Sequence, residues 1–223
     1  MPSPIVLGVD RWNRRWVGVL LGASASPTVL VDSSIERLVA RAPEASCVGV
    51  DMPIGLPAST RAADELARTY VGSRRNSVFM IPPRPALIAD SYVEANAIAP
   101  LLTGGRKITQ QAWALRSAIA AVEAVAAHDA RLIEVHPEVS FRAMYDDELP
   151  YAKASWNGQE LRRRSLARAS IVFPDRLPDC GDVPPADVLD AAAAAWSARR
   201  YATGEARSFP PAALHGQREV IWY

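Results

Sequence analysis

Three apolar stretches decide the fold: Ile5-Val6-Leu7-Gly8-Val9-Asp10, Trp16-Val17-Gly18-Val19-Leu20-Leu21 and Thr28-Val29-Leu30-Val31. Each has the length and β-branched content of a strand, with Asn13 and Gly22-Ala23-Ser24 as turn material between them. Links this short leave no room for a crossover, so the three strands form an antiparallel meander. Ser33 or Ser34 caps a helix running to about Arg41, with Ile35, Leu38 and Val39 on one face. Cys47 to Asp51 is a further buried strand that ends in an acid, and Pro53, Gly55 and Pro57 stop it at once.

From Ser59 to about Leu102 the pattern changes. A helix is expected over Ala62 to Val71, an ordered Arg-, Pro- and Ser-rich loop over Gly72 to Pro85, and a helix from Ser91 to about Ala97. Residues 57–106 therefore read as a helical insertion. Thr109 opens a strong helix with Leu115, Ile119, Val122 and Ala126 in phase. Arg131 to Val135 is a fifth strand carrying Glu134, followed by a short helix over Val139 to Tyr145 and a basic helix over Asn157 to Ala169. An Ala-rich helix runs from Ala186 to about Thr203, and Glu219 to Trp222 reads as an edge strand. A meander followed by αβαβα is the element order of a ribonuclease-H-like fold. The expected class is α/β: one domain, with a mixed sheet of an antiparallel three-strand meander plus parallel strands, flanked by helices.

Composition narrows the setting. The chain has 223 residues, 49% of them hydrophobic, which is enough for one large core and too apolar for disorder. No apolar run approaches the roughly 20 residues that cross a bilayer, so no membrane partner is expected. Met1-Pro2-Ser3-Pro4 lacks the basic start of a signal peptide, and Cys47 and Cys180 have no metal-ligand spacing; both point to a cytoplasmic setting. The net charge of +1 does not mark a nucleic-acid binder in bulk, so such contacts fall to local basic patches.

Asp10, Asp51 and Glu134 each stand at or near the C-terminal end of an expected central strand, where open α/β sheets gather their ligands. Asp187 and Asp190, spaced i, i+3, project from one face of the last helix's first turn. Gathering these carboxylates is opposed by their repulsion, and a divalent cation cancels it; oxygen-only ligation suits Mg2+ or Mn2+. Structural readings stand beside each: Asp10 and Asp51 as turn residues, Glu134 as a salt-bridge partner, and Asp187 and Asp190 as helix-start acids favoured by the dipole. His136 is a proton shuttle beside Glu134 or a turn residue fixed by Pro137. Arg74, Arg75 and Arg84 with Phe79, and Lys107 before a helix start, either grip phosphate and stack a base or form solvated surface. Arg162, Arg163, Arg164 and Arg168 read as the wet face of a helix in preference to a nucleic-acid track.

Several strings are more specific. Asp51-Met52-Pro53-Ile54-Gly55-Leu56-Pro57, Arg75-Asn76-Ser77-Val78-Phe79, Lys107-Ile108-Thr109-Gln110-Gln111, Glu134-Val135-His136-Pro137-Glu138 and Asp187-Val188-Leu189-Asp190, with Gly8-Val9-Asp10, resemble the domain-of-unknown-function family 429. The resemblance spans nearly the whole chain in order. It implies a ribonuclease-H-like fold and a nuclease centred on Asp10, Asp51 and the Asp187/Asp190 pair. The chain departs from that family after its first Asp, where Arg11-Trp12-Asn13-Arg14-Arg15 replaces a small Gly- and Cys-containing turn. The function expected is metal-dependent hydrolysis of nucleic-acid phosphodiesters. Phosphoryl transfer on a small substrate and non-catalytic nucleic-acid binding are the alternatives.

Overall fold

The computed structural model describes residues 3–22, 26–177, 180–211 and 218–223. Met1-Pro2 and the turn residues Ala23 and Ser24 lie outside them. Five strands form one sheet in the order β3-β2-β1-β4-β5: β1 (Val6–Trp12), β2 (Arg15–Leu21), β3 (Thr28–Asp32), β4 (Cys47–Val50) and β5 (Leu132–Glu134). β1 pairs antiparallel with β2 and β2 with β3, while β1–β4 and β4–β5 are parallel. This is the expected mixed sheet, an arrangement consistent with a ribonuclease-H-like fold.

Both faces are covered. Leu7, Val9, Val48, Val50 and Leu132 pack against α1 (Ile35–Ala40) and α6 (Arg116–Ala126). Val6, Val17, Val19, Cys47 and Ile133 pack on the other face against α7 (Pro137–Tyr145), α8 (Trp156–Arg168) and α9 (Pro185–Ala202). Strand parity sorts neighbouring side chains to opposite layers. Ser34 caps α1 as expected, its hydroxyl accepting from the Arg37 amide. The helix expected from Thr109 divides at Leu115 into α5 (Gln110–Ala114) and α6.

The segment over residues 57–106 forms α2 (Ala62–Tyr70), a 3-10 turn over Gly72–Ser77, α3 (Arg84–Leu87) and α4 (Tyr92–Thr103), with α4 longer than its sequence pattern suggests. Ala86, Ala95 and Ala99 of this segment pack with Ile108 and Ala112 beyond it into a small separate cluster. The C-terminal strand β7 (Ile221–Trp222) pairs with β6 (Ser208–Phe209) and is bridged to the main sheet through Val135 and Trp222. Among the described residues no helix is long and apolar enough to cross a membrane.

α9 sets the geometry of everything near it. Ala191, Ala192, Ala193, Ala194 and Ala195 are all fully buried. The helix lies so close to β1 that a Cβ on Gly8 would sit 2.1 Å from both the Ala191 carbonyl oxygen and the Ala195 amide nitrogen. At Gly49 on β4 a Cβ would meet the Ala194 carbonyl oxygen at 2.6 Å. These obstacles are backbone and cannot rotate away. Gly8→Ala is therefore expected to cost about 3 kcal/mol or more in urea unfolding, by forcing α9 off the sheet. Gly18→Ala is the control: its Cβ would meet only the ends of Leu7 and Leu38, 3.2 and 3.3 Å away, and a cost under about 1 kcal/mol is expected.

Candidate functional site

On β1, Val6, Gly8 and Asp10 share the face toward α9; on β4 and just past its end, Cys47, Gly49 and Asp51 do the same. The register pairs Gly8 with Gly49 and Val9 with Val50. One tripeptide, Gly-Val-Asp, thus stands twice in adjacent parallel strands, and each copy ends on a carboxylate aimed into the same space. The Asp51 amide donates to the Val9 carbonyl at 2.8 Å, which carries the pairing one residue further. α9 brings Asp190 alongside, and Asp187 one turn earlier lines the same cavity of about 510 Å³.

The carboxylates are short of water. Asp10 is 6% exposed and Asp190 2%. Burial pushes Asp10 well above the usual carboxylate range, and the charges of Asp51 and Asp190 push it further. Burial likewise raises Asp51 to about 6, with His136 opposing and Asp190 adding. The neighbouring Asp10 side chain works the other way on Asp51, as the smallest of these influences. Asp190 is raised by burial and opposed by Lys153. The Lys153 ammonium donates to Asp190 Oδ2 at 2.7 Å. Burial works to lower that ammonium, but Asp190, Asp10 and Asp51 hold it above its ordinary value. Lys153 is thus the cation of the acid cluster, a position that its loop setting gave little reason to expect. Asp190 Oδ1 is buried and accepts no hydrogen bond.

Glu134 lines the same cavity but is turned to a different partner. It pairs in register with Val50, and so points to the opposite face of the sheet from Asp51. There its Oε1 accepts from the buried Arg61 at 2.6 Å and its Oε2 from the Ile54 amide at 2.7 Å. Burial works to raise this carboxyl, and the Arg61 guanidinium and the Ile54 amide work against it. Arg61 Nε also stands 3.5 Å from Asp64. The five expected acids, Asp10, Asp51, Glu134, Asp187 and Asp190, thus line one cavity, with Glu134 paired to Arg61. Among the described residues, no group of three or more His, Cys, Asp or Glu side chains has the spacing to hold a metal ion. The Asp10–Asp51 pair, with the unbonded Asp190 oxygen nearby, still fits Mg2+, which keeps several waters and takes one or two carboxylates.

The remaining residues divide. His136 lines the cavity, with Nε2 3.3 Å from the Ser77 carbonyl oxygen. Arg74 lines it too, tied through Nε to the Leu149 carbonyl at 3.2 Å. Lys107 borders a neighbouring cavity. Arg75 is exposed, and Arg84 is turned to Glu123 at 2.7 Å; neither lines the acid cavity. Arg162 is not wet surface but a buried partner of Glu138, 2.7 Å away.

A family model described as a protein of unknown function, DUF429, matches residues 8–215. No curated protein and no solved structure matches the chain at a significant level.

Two expectations follow from these charges. Arg61→Met leaves Glu134 and Asp64 buried without their cation, and a loss of about 3–5 kcal/mol in urea unfolding is expected. Asp51 rises from its ordinary 3.8 to about 6 on folding. Its contribution to stability is therefore full below about pH 4 and lost as pH climbs through about 6. In chelator-containing buffer, Asp51→Asn should gain on the wild type across that window, by no more than about 3 kcal/mol.

Proposed function

We propose that this chain, which belongs to the DUF429 family of proteins of unknown function, hydrolyses phosphodiester bonds of nucleic acid with Mg2+ or Mn2+ as cofactor. The observation that carries the reading is the in-register Gly-Val-Asp pair on β1 and β4, which packs two desolvated carboxylates against Asp190. Alone, such a site repels a phosphate. When bound, the divalent ion supplies positive charge to a phosphoryl oxygen and lowers the pKa of a coordinated water.

Asp10 and Asp51 are the residues that would hold it. Lys153 keeps Asp190 paired, which limits repulsion within the cluster, and its ammonium lines the same cavity. His136, beside Asp51 at the cavity wall, is the side chain available to pass a proton to the leaving oxygen. Val78, Ile81 and Leu115 form the apolar part of the cavity wall.

The test is cleavage of single- and double-stranded DNA and RNA with Mg2+ or Mn2+. Asp10→Asn and Asp51→Asn should each lose at least about 100-fold in rate, with melting temperature unchanged or raised. Cleavage that survives Asp10→Asn rules the reading out. Divalent ions compete with protons for Asp51, so the rate should climb with pH through about 6.

A further inference from the structure

A second cavity, of about 440 Å³, adjoins the acid cavity and shares one wall with it, built from Asn76, Val78, Phe79, Ile81, Pro82 and Gln111. The two compartments are opposite in charge. Asp10, Asp51, Asp187 and Asp190 line the first with Lys153, while its other acids, Asp64, Glu134 and Glu138, are paired with Arg61 and Arg162. Arg68, Arg106 and Lys107 line the second, with no Asp or Glu among its lining residues.

The basic compartment is built, not a chance gathering of surface side chains. Arg68 donates to the Val78 carbonyl at 2.6 Å, which fixes its guanidinium against the shared wall. The turn carrying Arg106 and Lys107 is pinned at both ends. The Arg106 amide donates to Thr103 Oγ1 at 3.1 Å, and the Ile108 amide to Asn96 Oδ1 at 3.0 Å. The Tyr92 hydroxyl donates to the Ile108 carbonyl at 2.9 Å. Arg106 has only a loose pair with Glu65, 3.7 Å away at the surface.

We infer that the second compartment is a phosphate subsite for a single-stranded nucleic acid whose scissile linkage lies in the acid cavity. The inference rests on the hydrolytic reading for which linkage is cut. A mononucleotide would leave one compartment unused. A strand spans both, with one phosphodiester at the acids and a neighbouring phosphate at Arg68 and Lys107. Phe79, half-buried in the shared wall, offers a stacking face for the base between them. The second volume is of the size that holds one small ligand. A flexible strand reaches acids as recessed as Asp10 and Asp190, whereas a duplex keeps its phosphates on a stiff outer rail.

The experiment is fluorescence anisotropy of a labelled single-stranded DNA and RNA of about 12 nucleotides in chelator-containing buffer. Arg106→Gln combined with Lys107→Gln changes only exposed side chains, and equal melting temperatures confirm that the fold is kept. The double variant should bind at least about tenfold more weakly, and its slope of log K against log salt should fall by about 0.7, the value for one lost phosphate contact on a single strand. Asp10→Asn should bind at least as tightly as wild type, and a nucleoside 5′-monophosphate should compete poorly. Three results overturn the subsite: binding by the double variant within twofold of wild type, equal or tighter binding of a duplex of the same length, or no binding of any strand. Strand binding as expected, without cleavage under Mg2+ or Mn2+, removes the hydrolytic reading and keeps the subsite; cleavage that the double variant performs as well as wild type does the reverse.

Discussion

The closeness of α9 to the sheet is the constraint on which the rest depends. Gly8 and Gly49 give the strands no side chain at the contact, and the alanines from Ala191 to Ala195 give the helix almost none. Backbone meets backbone, and the first turns of α9 are drawn to the ends of β1 and β4. Asp190 is then held against Asp10 and Asp51 by packing in which none of the three takes part. A helix bearing leucines on that face would stand further off and spread the carboxylates apart. Dispersion over a flat, small-residue contact supplies the force that offsets their mutual repulsion.

Two ion arrangements share the work around that contact. On the α9 side Lys153 neutralises Asp190 from a loop and is itself half-exposed, so its charge is available to the cavity. On the opposite face Arg61 has no exposed surface and ties Glu134, Asp64 and, through Glu134, the turn that follows Asp51. The first is a working charge at the edge of water. The second is a brace, in which a buried guanidinium hydrogen-bonds Glu134 through one nitrogen, stands in ion-pair range of Asp64, and through Glu134 orients the backbone that follows Asp51.

Much of the sheet was legible because its signals are local. The meander follows from short links between β-branched runs, and the parallel strands follow from the helices needed to cross between them. Asp10 and Asp51 were legible for the same reason: each ends an apolar run. Glu134 carried the same signal, since it too ends an apolar run, but register and parity turn it to Arg61, and only strand pairing carries that information. The repeated Gly-Val-Asp at residues 8–10 and 49–51 was the available signal for which acids meet. Arg61, Lys153 and Arg162 were misjudged or passed over because nothing periodic marks a charged side chain whose partner lies dozens of residues away. The five alanines were legible as helix and illegible as a contact surface, since helix propensity says nothing of what the helix lies upon.

One segment, residues 76–82, forms the partition between the acid and the basic compartments. It is tied down at Val78 by Arg68 and at Ile81 by Asp64, and it carries no acid of the cluster. Its length and bulk therefore act as a gauge between two fixed points. Drift in this segment alone would reset the spacing that a bound polymer must match while leaving the chemistry intact, so relatives with equal acids but unequal partitions would diverge in what they accept.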